Sequence, residues 1–269
     1  MNRRRFLAGA GLAAAGGLAG CSSVGGGGGS GEFSSYDGGT QEVGGVSLPV
    51  PRSQLNRGAP KDAIPAITEP VFGANWNRVD ASLEDDEQVI GITRGGEARA
   101  YPLAILNWHE IVNDEFQGPL LVTYCPLCGS GVTARRVVDG EPTTFGVSGL
   151  LWNSDLVMYD EATDSLWSQI LGAAIRGAKT GTQLELLPSS FTTWGAWRRE
   201  HPDTRVLLPP PESDTVAGDT SRNYDGNPYA GYSQNSQIGI GNNRGVDDRM
   251  HPKTTVIGVS DGDAARAYP

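Results

Sequence analysis

The fourteen residues Val89–Pro102 (VIGITRGGEARAYP) recur at Val256–Pro269 (VIGVSDGDAARAYP), aligned without gaps and identical at nine positions. The first copy reads as a β-run, Val89 to Ile92, a turn at Arg94-Gly95-Gly96-Glu97, and an alternating return strand, Ala98 to Tyr101. That pattern is a hairpin, so the chain must build antiparallel sheet. The shared Ala-Arg-Ala-Tyr-Pro argues for an internal duplication. The second copy stops where the first opens a helix, so residues 255–269 are expected to start a truncated second repeat. The alternative is that they complete the first domain's sheet, because an isolated hairpin is marginal in water.

Between the copies, strand signals dominate. Pro119 to Tyr124 runs into Cys125; Val132 to Val138, Thr143 to Val147, Leu156 to Tyr159, Ser165 to Ile170, Ala174 to Gly177 and Gln183 to Leu187 follow. Pro102 in a first turn opens a helix reaching about Ile111. A second helix, Thr192 to Glu200, places Trp194 and Trp197 on one face. The fold class expected is α+β, mostly antiparallel β-sheet with a few short helices. The organisation expected is a signal segment at 1–20, a Gly/Ser/Pro-rich tether at 21–60, a β-rich domain at 61–208, an irregular connector at 209–254, and the second hairpin.

The N-terminus carries Arg3, Arg4 and Arg5, an apolar Ala/Gly stretch from Ala8 to Ala19, and Leu18-Ala19-Gly20-Cys21. It is too short and glycine-rich for a membrane-spanning helix. In that order the parts resemble a twin-arginine signal ending in a lipobox. The resemblance implies export, cleavage before Cys21, a lipid on that cysteine as the membrane contact, and an extracytoplasmic location on the cell membrane. The glycine run Gly25–Gly29 behind Cys21 suits a flexible leash. An ordinary signal peptide with an incidental cysteine is the plainer alternative.

Formal net charge is −10, and three units more negative without Arg3, Arg4 and Arg5. Such a surface repels nucleic acid, which is excluded as a partner. Lys61, Lys179 and Lys253 are the only lysines among 21 basic residues. Low lysine with excess acid points to a salt-adapted, haloarchaeal source.

Chemistry concentrates in Thr123-Tyr124-Cys125-Pro126-Leu127-Cys128-Gly129-Ser130. A closed zinc site usually takes two such pairs. With Cys21 assigned to the lipid, only Cys125 and Cys128 remain, so two of His109, His201 and His251 would have to complete it. A redox pair is the second reading, with His109 as base or orienter. Against it, Gly-Ser-Gly-Val after Cys128 does not begin a helix that would favour the thiolate. A soft-metal clamp is the third reading: Cys125 and Cys128 with His109, extended by His201, for Cu or Zn. A structural disulfide is the fourth, and closing so short a loop constrains little chain. The catalytic candidates are thus Cys125, Cys128 and His109. The cofactor is unknown, with none, Cu or Zn as the options, and the redox partner is unidentified.

Other features read as ordinary. His109-Glu110 lacks the second histidine of H-E-x-x-H, Asn113 standing where spacing matters. Ser148 does not sit in G-x-S-x-G. Asp160 and Asp164 could hold Ca²⁺, but a turn explains both. Phe145, Trp152 and Trp167 are core candidates that could also line a pocket near the cysteines.

Taken together, Trp108-His109-Glu110-Ile111-Val112-Asn113-Asp114, the cysteine run, Phe145-Gly146-Val147-Ser148-Gly149-Leu150, Met158-Tyr159-Asp160, and Trp194 with Trp197 and His201-Pro202-Asp203-Thr204 resemble the DUF3179 family, a family of exported proteins frequent in haloarchaea. The resemblance covers about Val89 to Leu208. It brings no established activity to carry over.

Overall fold

A computed structural model describes residues 35–77, 81–209, 222–240, 249–260 and 265–269. Arg3, Arg4, Arg5 and Cys21 lie outside the described residues.

The first hairpin forms as its sequence dictates. Strands Gln88–Arg94 and Glu97–Pro102 pair antiparallel with Arg94 opposite Glu97. Gly95 and Gly96 close the turn at φ 57° and 82°. Two successive positive φ values make the tight primed turn that matches strand twist. This hairpin is the middle of a five-stranded sheet, in the order Ser190–Thr193, Gln88–Arg94, Glu97–Pro102, Arg205–Leu207, Phe72–Gly73. Its neighbours are antiparallel except Arg205–Leu207, which runs parallel to Glu97–Pro102. A second five-stranded sheet is wholly antiparallel: Ala173–Arg176, Leu166–Ser168, Asp155–Asp160, Phe145–Trp152, Leu55–Arg57. A three-stranded sheet, Ile111–Glu115, Pro119–Cys125 and Ser130–Ala134, lies between them.

Alternation along the strands fixes that layering, because successive side chains point to opposite faces. From the three-stranded sheet, Val112, Leu120 and Val122 join a core with Ile90, Ile92, Tyr101, Trp194 and Trp197. Ile111, Leu121 and Cys125 face the other way, into a core with Phe145, Met158 and Trp167. In the second sheet Met158 faces that core, while Val157 and Tyr159 pack outward against Leu48, Val50 and Ile175. Asn113 bridges the layers: its amide donates to Phe145 O at 2.9 Å and its carbonyl accepts from Phe145 N at 2.7 Å.

Two short helices belong to the first sheet. Helix α1 spans Leu103–His109 and buries Leu103, Ile105, Leu106 and His109. It stops before the expected Ile111, because Glu110 turns to φ 58° and Ile111 starts a strand. Helix α2 spans Trp194–Glu200; Thr193 caps it by accepting from Ala196 N. The Trp197 ring lies so close over Gly91 that a Cβ there would sit 2.4 Å from it. Among the described residues the chain is mostly antiparallel β-sheet with these two α-helices. Among the described residues no helix is long and apolar enough to cross a membrane.

Three further expectations change. The tether expected over 21–60 is folded in its second half: Leu48 and Val50 are buried, and Leu55–Arg57 pairs with Leu150–Trp152. Gln183–Leu187 forms isolated bridges rather than a strand. The second hairpin, Ile257–Ser260 with Ala265–Tyr268, repeats the register of the first, Ile257 opposite Tyr268 as Ile90 is opposite Tyr101. It forms its own two-stranded sheet and joins neither five-stranded one. Ile90, Ile92 and Tyr101 are at most 1% exposed, whereas Ile257, Val259 and Tyr268 are 71%, 54% and 50% exposed.

Candidate dithiol site

Cys125 ends the central strand of the three-stranded sheet and pairs with Ser130, so Pro126–Gly129 is a hairpin loop. Cys128 N and Gly129 N both donate to Cys125 O, at 3.2 and 2.8 Å. Gly129 takes φ 63°, which a side chain would disfavour. This tight loop puts both cysteine side chains on one side, with the sulfurs 2.8 Å apart. Cys125 is buried and Cys128 exposed. Gln169, fully buried, pins the hairpin: its amide donates to Thr123 Oγ1 and Ser130 O, both at 3.1 Å.

A second hairpin tip meets the first. Trp152 pairs with Asp155 across Asn153 and Ser154, which take φ 51° and 69°. The Ser154 carbonyl accepts from Cys128 at 3.2 Å and lies 3.6 Å from the Cys125 sulfur. Asp155 is buried; it accepts from Ser168 Oγ at 2.5 Å and Ile170 N at 3.3 Å. The two sulfurs and an Asp155 oxygen lie within 4.8 Å of one another.

Burial sets the electrostatics. Cys125 is pushed well above the usual thiol range, first by its hydrogen bond with Cys128, then by burial, then by the negative charge of Cys128, Asp155 and Glu110. Asp155 is raised to about 7 by burial, opposed by the Ser168 and backbone hydrogen bonds. Glu110 is raised to about 7 by burial, opposed by a hydrogen bond from Tyr229. Tyr124 is pushed up to about 12 by burial and the neighbouring thiols.

The segment expected to be connector covers this site. Tyr224 Oη bonds His109 Nε2 at 2.9 Å, and Trp108 Nε1 donates to Gly226 O at 3.1 Å. Tyr229 Oη donates to Glu110 Oε1 at 3.3 Å, and Tyr232 Oη donates to Leu127 O at 3.2 Å. Gly239 N donates to Tyr232 Oη at 2.7 Å, and Ile240 exchanges two hydrogen bonds with Ser154 Oγ, both 3.2 Å. Residues 222–240 thus form a strap over the cysteine loop. A cavity of about 560 Å³ opens between strap and body, lined by Tyr124, Pro126, Tyr229, Tyr232, Asn107 and Glu87 among others.

The structure gathers Cys125 and Cys128 as expected but gives both histidines other work. His109 is fully buried, with Nδ1 2.8 Å from Pro65 O. A carbonyl only accepts, so Nδ1 carries the proton and Nε2 accepts from Tyr224. Burial lowers His109 to about 4 and so keeps it neutral, against the Pro65 hydrogen bond, which pulls the other way. Both nitrogens are therefore occupied away from the sulfurs. His201 packs on Trp197, ring centroids 4.0 Å apart, and lines a different depression with Glu97 and Arg99. Among the described residues the ligand atoms that converge with the thiols come from Asp155, not from His109 or His201. His251 is exposed and its Nδ1 accepts from Lys253 N.

Phe145 and Trp167 share a core with Cys125, edge to face at 5.6 Å, whereas Trp152 packs in the outer core. Asp160 organises a turn, accepting from Thr163 N, Thr163 Oγ1 and Trp167 Nε1 at 2.7 to 2.8 Å. Sequence reasoning missed Asp155, Glu110, Tyr229 and Tyr232. Asn153-Ser154 before Asp155 carried a usable signal, since Asn favours the left-handed turn conformation.

A family model described as protein of unknown function (DUF3179) matches residues 61–269. No curated protein and no solved structure matches the chain.

Proposed function

The chain belongs to the DUF3179 family, and on that footing we propose that it is a lipid-anchored extracytoplasmic protein whose Cys125–Cys128 pair exchanges electrons with thiols and disulfides. The observation that carries the redox reading is the unequal exposure of two sulfurs only 2.8 Å apart. The outer sulfur, Cys128, is open to a substrate; the inner one, Cys125, is buried beside it and placed to attack Cys128.

The exchange follows from that order. The Cys128 thiolate attacks a substrate disulfide, forming a Cys128–substrate bond and releasing one substrate thiolate, which takes a proton from solvent. Cys125 loses its proton and attacks the Cys128 sulfur. The mixed disulfide breaks, the second substrate thiolate leaves, and a Cys125–Cys128 disulfide forms. Two electrons pass to the substrate; a second dithiol returns the pair to its reduced state.

Arg3, Arg4 and Arg5, the apolar stretch and Leu18-Ala19-Gly20-Cys21 support export by the twin-arginine route and a lipid on Cys21. The membrane is then a partner through that lipid, in an oxidising compartment where a disulfide persists. The acidic, lysine-poor composition supports a haloarchaeal source and argues against nucleic acid as a partner.

The test uses the full chain, purified and reduced. Cys125→Ser should accumulate a stable mixed disulfide at Cys128 with a small aromatic disulfide, while the unaltered chain should release both substrate thiols and become internally oxidised. A chain that gains no internal disulfide under these conditions removes the redox reading.

A further inference from the structure

We propose that the reduced Cys125–Cys128 pair, together with Asp155, binds a thiophilic divalent cation of the Zn²⁺ class in a three-donor site. The proposal uses the same sulfurs as the redox reading, in their reduced state, but stands on different geometry.

Two independent elements of the fold build the site. The hairpin loop directs both sulfurs to one side, with Gly129 in the left-handed conformation and two amides closing on Cys125 O. The facing hairpin delivers Asp155 from another sheet, so that one of its oxygens and both sulfurs fall within 4.8 Å of one another. Asp155 is buried and its carboxylate is oriented by Ser168 and the Ile170 amide. Hydrogen-bonded outer partners of this kind orient metal ligands.

The donor set selects the metal. Two thiolates favour Zn²⁺ or Cu⁺ over Mg²⁺ or Ca²⁺, and an oxygen donor moves the preference from Cu⁺ to Zn²⁺. Tetrahedral zinc with bonds of about 2.3 Å to sulfur needs its sulfurs about 3.8 Å apart. The present 2.8 Å must therefore widen. The exposed Cys128, in a loop rather than a strand, is the side chain that can swing outward. Three protein donors leave a fourth position for water or another ligand. Binding replaces two S–H bonds with two metal–sulfur bonds and sends two protons to solvent, with a third wherever the Asp155 carboxyl carries one. A Cys125–Cys128 disulfide removes both thiolates, so oxidation and metal occupancy exclude each other.

The experiment titrates Co²⁺, then Zn²⁺, into the full chain after reduction and metal removal. The expected result is one Co²⁺ per chain with thiolate-to-cobalt absorption, displaced by Zn²⁺ and absent from the oxidised chain. Asp155→Asn should weaken binding by at least the roughly tenfold to hundredfold that loss of an outer-shell partner already costs. Should that variant fail to fold, Cys128→Ser, altered at an exposed position, must abolish the thiolate absorption while keeping the native circular dichroism. Absence of thiolate absorption in the reduced chain, or folded Asp155→Asn binding as the unaltered chain does, overturns the site. Mixed-disulfide trapping on metal-free protein reports on the redox reading separately, so either proposal can fail alone.

Discussion

His109 and Glu110 are adjacent, buried at the same helix end, and displaced by that burial in opposite directions: His109 down to about 4, Glu110 up to about 7. Both shifts favour the neutral form, and the strap supplies each with a tyrosine hydroxyl, from Tyr224 and Tyr229. The two titrations therefore pull stability in opposite senses. Between 4.5 and about 7 the folded chain keeps a Glu110 proton that the unfolded chain loses, so stability falls as pH rises. Between 6.5 and about 4 the unfolded chain takes a His109 proton that the folded chain refuses, so stability falls as pH drops. Thermal melts across this range should show Glu110→Gln reducing the loss on the alkaline side. His109→Gln should reduce the loss on the acid side. An unchanged pH profile in both variants contradicts the assignment.

The burial difference between the cysteines predicts an order of reaction. Iodoacetamide should modify Cys128 first, and Cys125 in the Cys128→Ser variant should react at least about ten times more slowly than Cys128 in Cys125→Ser. Timed quenching and peptide mass spectrometry read the two rates. Equal rates would mean that the loop does not shelter Cys125.

Asn113 is an interlayer tie rather than a site residue. Asn113→Ala strips partners from both the amide and the carbonyl of buried Phe145. Urea unfolding should show a loss of about 3 kcal/mol, with Cys128 alkylation unchanged in the native baseline. A loss below about 1 kcal/mol would show that the layers do not depend on this side chain.

Tyr232 holds the strap to the cysteine loop through one hydroxyl that donates to Leu127 O and accepts from Gly239 N. Tyr232→Phe should raise the exchange rate of the Gly239 amide by about tenfold, the equivalent of about 1.4 kcal/mol of lost local protection. Cys128 alkylation should quicken in the same variant. Hydrogen exchange that stays at the unaltered rate would place the strap's hold elsewhere.

The hairpin at Arg94–Glu97 was legible because two glycines and strict alternation specify it locally, and Trp194 with Trp197 because helical spacing does. Cys125 and Cys128 were legible as a pair because their spacing survives any fold. Asp155 was not, because it reaches the sulfurs from another sheet, and no local pattern encodes which hairpin tips meet. His109 looked chemical because histidine beside a cysteine motif is suggestive; its partners, Pro65 O and Tyr224, are distant in sequence. Glu110 carries no local signal once H-E-x-x-H fails, although a glutamate at φ 58° marks a backbone held in place by its surroundings. Residues 209–254 read as connector because Pro, Gly, Asn and Asp are frequent there, and no local pattern shows that Tyr224 buries its ring against His109 or that Tyr229 and Tyr232 reach the body through their hydroxyls.

That strap changes where the smallest useful version of this protein ends. Cutting after Leu208, one residue past the strand Arg205–Leu207, would keep both five-stranded sheets and both cysteines. It would also remove the hydroxyls over His109, Glu110 and Leu127 and the backbone that closes on Ser154. A shortened protein made that way would fold its sheets around a wetted site, and its thiols would report the chemistry of a different molecule; the cut belongs beyond Ile240.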